Sequence, residues 1–217
     1  YLLNGEKLWC TNGTLARFLV VMARTPKVKR GGGKKRGAIT AFVVDTRWPG
    51  VEVVNRCRFM GLRALYNGVI RFNNVRVPAE NVILAPGKGM RVALNALSVG
   101  RLTLPAACAG LVRESLRITR EWTTERRQWG CEIGKHEAIA AKVADMAADA
   151  FALEAMVALT SNLVDEKADY RLESALCKLW GTETAWRVVD DLMQIRGGRG
   201  YETAQSLAAR GENPEPV

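Results

Sequence analysis

Ile139-Ala140-Ala141-Lys142-Val143-Ala144-Asp145-Met146-Ala147-Ala148-Asp149-Ala150-Phe151-Ala152-Leu153-Glu154-Ala155-Met156-Val157 carries its larger apolar side chains at helical spacing. Ile139, Val143, Met146, Ala150, Leu153 and Val157 step by four and three, so they share one helix face. A helix with such a face has to bury it against another element. A stripe of nearly the same period follows through Leu172, Leu176, Leu179, Trp186, Val189 and Met193. Leu111, Ile118 and Trp122 suggest a third on the N-terminal side. Three long stripes with few Gly or Pro interruptions predict an antiparallel helical bundle over residues 89–217, with the stripes as its core. Pro105 predicts a start or a kink in the first helix, and Asp165–Asp169 a polar connection between the second and third.

Upstream of residue 88 the pattern is that of strands. Phe18-Leu19-Val20-Val21-Met22-Ala23 and Ala38-Ile39-Thr40-Ala41-Phe42-Val43-Val44 are short apolar runs rich in β-branched residues. Val51–Val54 and Gly68–Phe72 are shorter candidates. Asn4-Gly5, Asn12-Gly13, Pro49-Gly50 and Asn73-Asn74 mark turns. The fold class is therefore α+β: a barrel- or sandwich-like β-domain over residues 1–88, then the bundle over 89–217. No internal repeat and no Rossmann or Walker glycine pattern is present.

The 217 residues, 48% hydrophobic and 25% charged, suit a globular chain with its own core and argue against wholesale disorder. No uninterrupted apolar run approaches the length of a membrane span, so an integral membrane protein is not expected. Cys10, Cys57, Cys108, Cys131 and Cys177 are odd in number and form no CxxC pair. They read as reduced thiols, and His136 is the one histidine, so a zinc site is not expected. The chain opens at Tyr1 in a strand and closes on a Pro-broken stretch, so it reads as an internal piece of a longer protein.

The net charge of +10 is concentrated before residue 89, where 16 Lys/Arg face 4 Asp/Glu; beyond it 16 face 18. That half can attract phosphorylated cofactors, nucleic acid or an anionic surface, or it is a solvated basic face. Thr25–Gly37 reads as a mobile basic hairpin excursion without aromatics, so the stacking half of a single-strand nucleic-acid site is missing there.

Four stretches carry candidate chemistry, each with a plainer alternative. Trp9 and Thr11, two apart on a strand, present an aromatic plane and a donor to a flat ligand, or simply end a strand at the Asn12-Gly13 turn. Arg126-Arg127-Gln128-Trp129-Gly130 reads as a helix terminus with phosphate-capable arginines, or as a basic end complementing the macrodipole. Gln194-Ile195-Arg196-Gly197-Gly198-Arg199-Gly200-Tyr201 lets backbone amides approach a phosphate, or stops a helix. Arg101, in an otherwise apolar segment, wants an anionic partner or lies on the helix surface. His136 and Glu137 open a helix, and His136 reads as structural.

The order of these pieces, with Met60-Gly61-Leu62-Arg63, Val75-Arg76-Val77-Pro78-Ala79-Glu80-Asn81 and Gly100-Arg101 between them, resembles the acyl-CoA dehydrogenase flavoproteins over essentially the whole chain. Arg24-Thr25-Pro26 with its basic insert, and Lys178-Leu179-Trp180-Gly181-Thr182-Glu183-Thr184-Ala185-Trp186, are most similar to the very-long-chain branch. The resemblance implies most of a middle β-domain and most of a C-terminal four-helix domain. It implies an FAD enzyme of fatty-acid β-oxidation that converts a long-chain acyl-CoA to the trans-2-enoyl-CoA and passes electrons to electron-transferring flavoprotein.

By motif match the resemblance places Trp9 over the isoalloxazine and Thr11 near its N5 and O4, with Cys10 where relatives carry an aliphatic residue. It places Arg126, Gln128 and Trp129 on the pyrophosphate and adenosine half of FAD bound mainly by a neighbouring subunit, and Gln194, Gly197 and Gly198 on the same dinucleotide from another chain. Shared sites imply a homodimer or homotetramer. Ser98 and Arg101 match positions lining the acyl-CoA pocket, with Leu102 and Leu104 beside them. The family's base is a glutamate in a Glu-Gly-Thr motif or at the position of Gly100. Neither is present here, and Glu202 stands in the wrong motif. No catalytic residue is assigned within the chain, and the isolated piece is expected to be inactive. Location would be cytoplasmic in a bacterium and mitochondrial in a eukaryote. The alternatives are a non-catalytic relative that binds DNA, an assembly factor on the same scaffold, and a cofactor-free bundle; nucleic acid is not the expected partner.

Overall fold

The computed structural model describes residues 1–28 and 36–213. Of the expected basic excursion at Thr25–Gly37, the two ends are strand instead, within Phe18–Val28 and Arg36–Asp45, because the hairpin ladder runs on past the apolar residues; residues 29–35 and the Pro-broken end after Asn213 lie outside the described residues. The chain divides into two compact units, Tyr1–Ala96 and Leu97–Val217.

The first unit holds five strands: β1 (Leu2–Cys10), β2 (Phe18–Val28), β3 (Arg36–Asp45), β4 (Val51–Arg56) and β5 (Gly68–Arg76). β5 lies between β1 and β4, antiparallel to both, while β2 and β3 form a separate antiparallel hairpin. The two sheets are open and share one core, which fits the sandwich-like alternative, and no closed barrel forms among the described residues. Apolar residues point inward: Leu19 and Val21 of β2, Phe42 and Val44 of β3, and Ile70, Phe72 and Val75 of β5 make one core.

Two expected turns are bulges instead. The β1–β5 register slips between Leu3 and Gly5, opposite Asn74. The Asn4 side chain closes the broken ladder by accepting from the Asn74 backbone N–H (2.9 Å) and donating to Asn74 Oδ1 (3.1 Å). Asp45, buried at the end of β3, accepts from the Arg47 guanidinium (3.0 Å) and from Arg17 Nε (3.5 Å). The hydrogen bonds from Arg47 hold its carboxyl down at about 2.

Helix α1 (Gly89–Glu125) contains Pro105 in its interior, so the proline does not start it. Contrary to the sequence reading, α1 is long and apolar enough by length and composition to cross a membrane. Its apolar character is spread among Ser, Thr and Gly and broken once by Arg101, so no uninterrupted run betrays it. A small hairpin of β6 (Arg127–Gln128) and β7 (Cys131–Glu132) follows, then α2 (Glu137–Asp165), α3 (Arg171–Arg196), α4 (Gly198–Tyr201) and α5 (Ala204–Ala209).

α2 and α3 are antiparallel, as the pairs Lys142–Asp191 and Arg187–Asp149 show. Their core with the C-terminal part of α1 holds Ala109, Val112, Met146, Ala150, Leu153, Ala185, Val188 and Ile195. The α2 stripe is buried or half-buried, as its spacing predicts. The α3 stripe is not the core. Leu172, Leu176, Leu179, Trp186 and Met193 are exposed, Trp186 by 79%, and only Val189 is half-buried. The inward face of α3 is Ser174, Cys177, Gly181, Thr184, Ala185, Val188 and Ile195. Small residues win that face because the helices approach closely: a Cβ on Gly181 would stand 2.9 Å from Leu153 Cδ1 and 3.4 Å from Pro105 Cβ. The α1 stripe holds in part: Ile118 and Trp122 are half-buried, and Trp122 packs against the core. Leu111 is exposed, while Ala109, Val112, Ser115, Thr119 and Thr123 turn inward.

Candidate functional site

The first unit presents Trp9, Cys10 and Thr11 where β1 ends. Trp9 is in the left-handed region (φ 57) and is 66% exposed. β1 stops at Cys10 and Thr11 belongs to the turn, so the two-residue alternation expected for Trp9 and Thr11 does not apply. Thr11 Oγ1 instead donates to Oδ1 of the buried Asn67 (3.3 Å), which anchors the turn to the segment before β5. Cys10 and Thr11 line a cavity of about 420 Å³ whose walls are Leu8, Ala16, Phe18, Leu19 and Phe72; Trp9 lies outside that lining. Burial pushes the Cys10 thiol up, against the pull of Lys7, so Cys10 is a neutral apolar filler.

In the second unit, Ser98 and Arg101 lie three apart on α1 and are both half-buried. Arg101 makes no ion pair among the described residues. Leu104 next to it is exposed and Leu102 half-buried.

The chemically distinctive feature of this unit is a basic cavity of about 490 Å³. Its lining includes Trp122, Arg126, Gln128, Arg196, Gly197, Gly198, Arg199, Glu202 and Arg210. Trp122 organises it. Its indole N–H donates to the Ile195 carbonyl (3.1 Å), which ties the end of α1 to the end of α3. The guanidiniums of Arg196 and Arg199 both lie 5.7 Å from its ring. Burial, and then the like charge of Arg199, pull the Arg196 pKa below the usual arginine value. The one carboxylate in the lining, Glu202, accepts from Ser206 Oγ (2.6 Å) and from Arg210 (2.6 Å), which hold it ionised and below the usual range.

The glycines let the chain turn here. Gly197 ends α3 at φ 60, ψ −137, and its N–H donates back to Gln194 O (3.0 Å). A Cβ on Gly200 would stand 2.3 Å from the Met193 carbonyl oxygen, so only glycine folds there. Arg127–Gln128 is not the expected helix terminus: it pairs with Cys131–Glu132. Trp129 (φ 50) and Gly130 (φ 87) form the left-handed two-residue turn such a hairpin needs. Trp129 at its tip is 88% exposed, edge-on to His136 at 5.5 Å.

Of the residues singled out in this unit, the structure brings Arg126, Gln128, Gly197 and Gly198 into one cavity; Trp129 and the exposed Gln194 lie outside its lining. Sequence reasoning assigned Trp122 to a core stripe and missed Arg196, Arg199 and Arg210 as cavity residues. The signal for the arginines was their spacing around the glycines, but only the closure of α3 onto α1 turns that into a site. A cavity with several guanidiniums, one amide, glycine amides and a single, already paired carboxylate is suited to a polyanion such as a pyrophosphate.

Two family models match the chain: acyl-CoA dehydrogenase, middle domain, over residues 1–75, and acyl-CoA dehydrogenase, C-terminal domain, over residues 87–211. The chain belongs to the acyl-CoA dehydrogenase family. It is 52% identical over 218 residues to the probable acyl-CoA dehydrogenase FadE10 of Mycobacterium tuberculosis, an alignment covering 100% of this chain and 33% of that protein. It is 37% identical over 202 residues to the mitochondrial very long-chain specific acyl-CoA dehydrogenase of Homo sapiens, covering 93% of this chain and 31% of that one. Among solved structures, the acyl-CoA dehydrogenase complexed with FAD from Bacillus anthracis is 28% identical with a TM-score of 0.77, covering 93% of this chain and 36% of that one. The chain spans about a third of the length of these relatives.

Proposed function

We propose that the protein carrying this chain is an FAD-dependent acyl-CoA dehydrogenase of β-oxidation. It takes a long-chain acyl-CoA to the trans-2-enoyl-CoA and hands electrons to an electron-transferring flavoprotein. The observation that carries the reading is the basic cavity around Trp122, whose donors fit the pyrophosphate of a dinucleotide. When bound, FAD supplies the acceptor for the hydride leaving Cβ.

The chain's own residues bind and orient. Arg126, Arg196 and Arg199 supply charge to the pyrophosphate of an FAD bound mainly by a neighbouring subunit, Gln128 supplies an amide, and Gly197 and Gly198 open the backbone to close approach. The exposed indole of Trp9 is the plane offered to the isoalloxazine. Thr11 Oγ1 is a hydroxyl beside it whose proton now goes to Asn67. Ser98 and Arg101 share a face of α1 suited to the thioester ligand. Proton abstraction falls to none of the described carboxylates. Glu202, nearest the glycines in sequence, is engaged by Ser206 and Arg210. A homodimer or homotetramer is supported by the outward apolar face of α3, where Leu172, Leu176, Leu179, Trp186 and Met193 are exposed.

The purified full-length protein is expected to be yellow, and palmitoyl-CoA added without oxygen is expected to bleach its flavin absorbance. A protein that stays colourless after incubation with FAD, or a flavin band indifferent to every acyl-CoA, contradicts this function.

A further inference from the structure

The wall of the basic cavity carries one group of the wrong sign for an anion, the half-buried carboxylate of Glu202. Arg210 meets it fork-on, Nε donating to one oxygen (3.1 Å) and a terminal nitrogen to the other (2.6 Å), and Ser206 Oγ donates to the first (2.6 Å). We propose that Glu202, together with Glu212, selects among phosphorylated ligands: the cavity accepts the internal pyrophosphate of a dinucleotide and turns away a chain that ends in a terminal phosphate, such as ADP. This selectivity rests on the pyrophosphate reading of the cavity.

Charge separates the two kinds of ligand. Each phosphate of an internal pyrophosphate is esterified on both sides and holds a single negative charge. A terminal phosphate keeps a further ionisable proton and carries about −1.5 to −2 at neutral pH. Guanidiniums attract both ligands, and the more highly charged one more strongly. A fixed negative charge on the same wall acts in the opposite sense, costing the terminal phosphate more than the internal one. Glu202 supplies that charge at neutral pH, because hydrogen bonds from Ser206 and then Arg210 hold its carboxyl below the usual range.

The chain after the glycines is built to place these carboxylates. Thr203 caps α5, its hydroxyl accepting from the Ser206 N–H (3.3 Å), and Leu207, 1% exposed, pins the helix to the unit. Gly211 (φ 75) reverses the chain, so that the Glu212 N–H bonds back to the Leu207 carbonyl (3.0 Å). That return sets Glu212 against Arg199 and against Arg210 (3.0 Å). Two guanidiniums of the cavity wall are therefore matched by carboxylates from the same short segment, and the positive charge offered to a ligand is trimmed.

The test is competition of ADP-ribose and of ADP against FAD on flavin-stripped full-length protein, read by flavin fluorescence. The two probes share adenosine and two phosphates; in ADP-ribose the pyrophosphate is internal, and in ADP it ends the chain. The wild-type protein is expected to prefer ADP-ribose about tenfold. Glu202→Gln is expected to lose most of that preference by binding ADP more tightly, whereas Glu202→Asp, which keeps the charge, is expected to retain it. Glu212→Gln is the second variant and is expected to narrow the preference by less. Equal competition by the two probes in the wild-type protein overturns the proposal whether or not the variants fold, and so does a Glu202→Gln protein that takes up FAD and keeps the wild-type preference. Either result leaves the dehydrogenase reading standing, since FAD still binds. A protein that takes up neither FAD nor either probe contradicts the pyrophosphate reading, and the selectivity falls with it.

Discussion

α2 and α3 carry apolar stripes of similar strength in the sequence, and they lie on opposite sides of the packing problem. The stripe of α2 is turned into the unit, with Met146 and Leu153 fully covered. The stripe of α3 is turned out, and the side it buries is built from Ser174, Cys177, Gly181, Thr184 and Ala185. An apolar stripe says that a face will be covered, not what covers it. Close helix approach selects small residues, and a hydrophobicity pattern is blind to them. What remains outside on α3 is surface for something beyond the unit.

The sharpest way to break this comparison is at the α2–α3 contact. Leu153→Ala is expected to cost about 3 kcal/mol of stability, because it removes a fully buried side chain from a packed interface. Gly181→Val is expected to cost about 2 kcal/mol by overpacking the same spot, where even a Cβ comes within 2.9 Å of Leu153. Thermal melting of the full-length variants reads both; an unchanged melting temperature in Gly181→Val would mean that α3 does not press on α2 there.

The β-unit offers a polar version of the same lesson. Asp45→Asn should lower stability at neutral pH. The Asp45 carboxyl sits at about 2, below the ordinary carboxylate value, because it accepts from Arg47. Its contribution is therefore full above the unfolded pKa and is lost as pH falls through about 2. Denaturation measured from pH 7 downward should show the wild-type and variant curves converging toward pH 2; a gap that does not change with pH would contradict the ion-pair account. The smallest effect on the unit itself should come from Leu179→Ser on the outward stripe, within about 0.5 kcal/mol. The same substitution is expected to shift the oligomeric state in sedimentation. If it instead destabilises the unit as much as Leu153→Ala does, the assignment of faces on α3 is wrong.

Much of the architecture was legible beforehand. β2 and β3 follow from short apolar runs rich in β-branched residues, and α2 from the four-three step, whose stripe is the face that the helix buries. The bulge at Asn74 and the hairpin at Trp129-Gly130 were not. Asn-Asn reads as a turn unless the partner strand is known, and a Trp in the left-handed region carries no local signature. Of the candidate site, Arg126, Gln128, Gly197 and Gly198 were legible from motif order. Trp122 was hidden among core residues, since its indole N–H finds Ile195 only after two helix ends, 73 residues apart, are brought together.

The central claim is that the arginine-lined cavity around Trp122 holds a pyrophosphate. The most direct measurement is equilibrium binding of FAD and of riboflavin, which lacks the phosphates, to flavin-stripped full-length protein, with and without Arg126→Ala. The account predicts FAD at least about a hundredfold tighter than riboflavin, and a gap about tenfold narrower in the variant, from loss of a charge-assisted hydrogen bond. Equal affinities for the two flavins, or an Arg126→Ala protein that discriminates as well as the wild type, would contradict it.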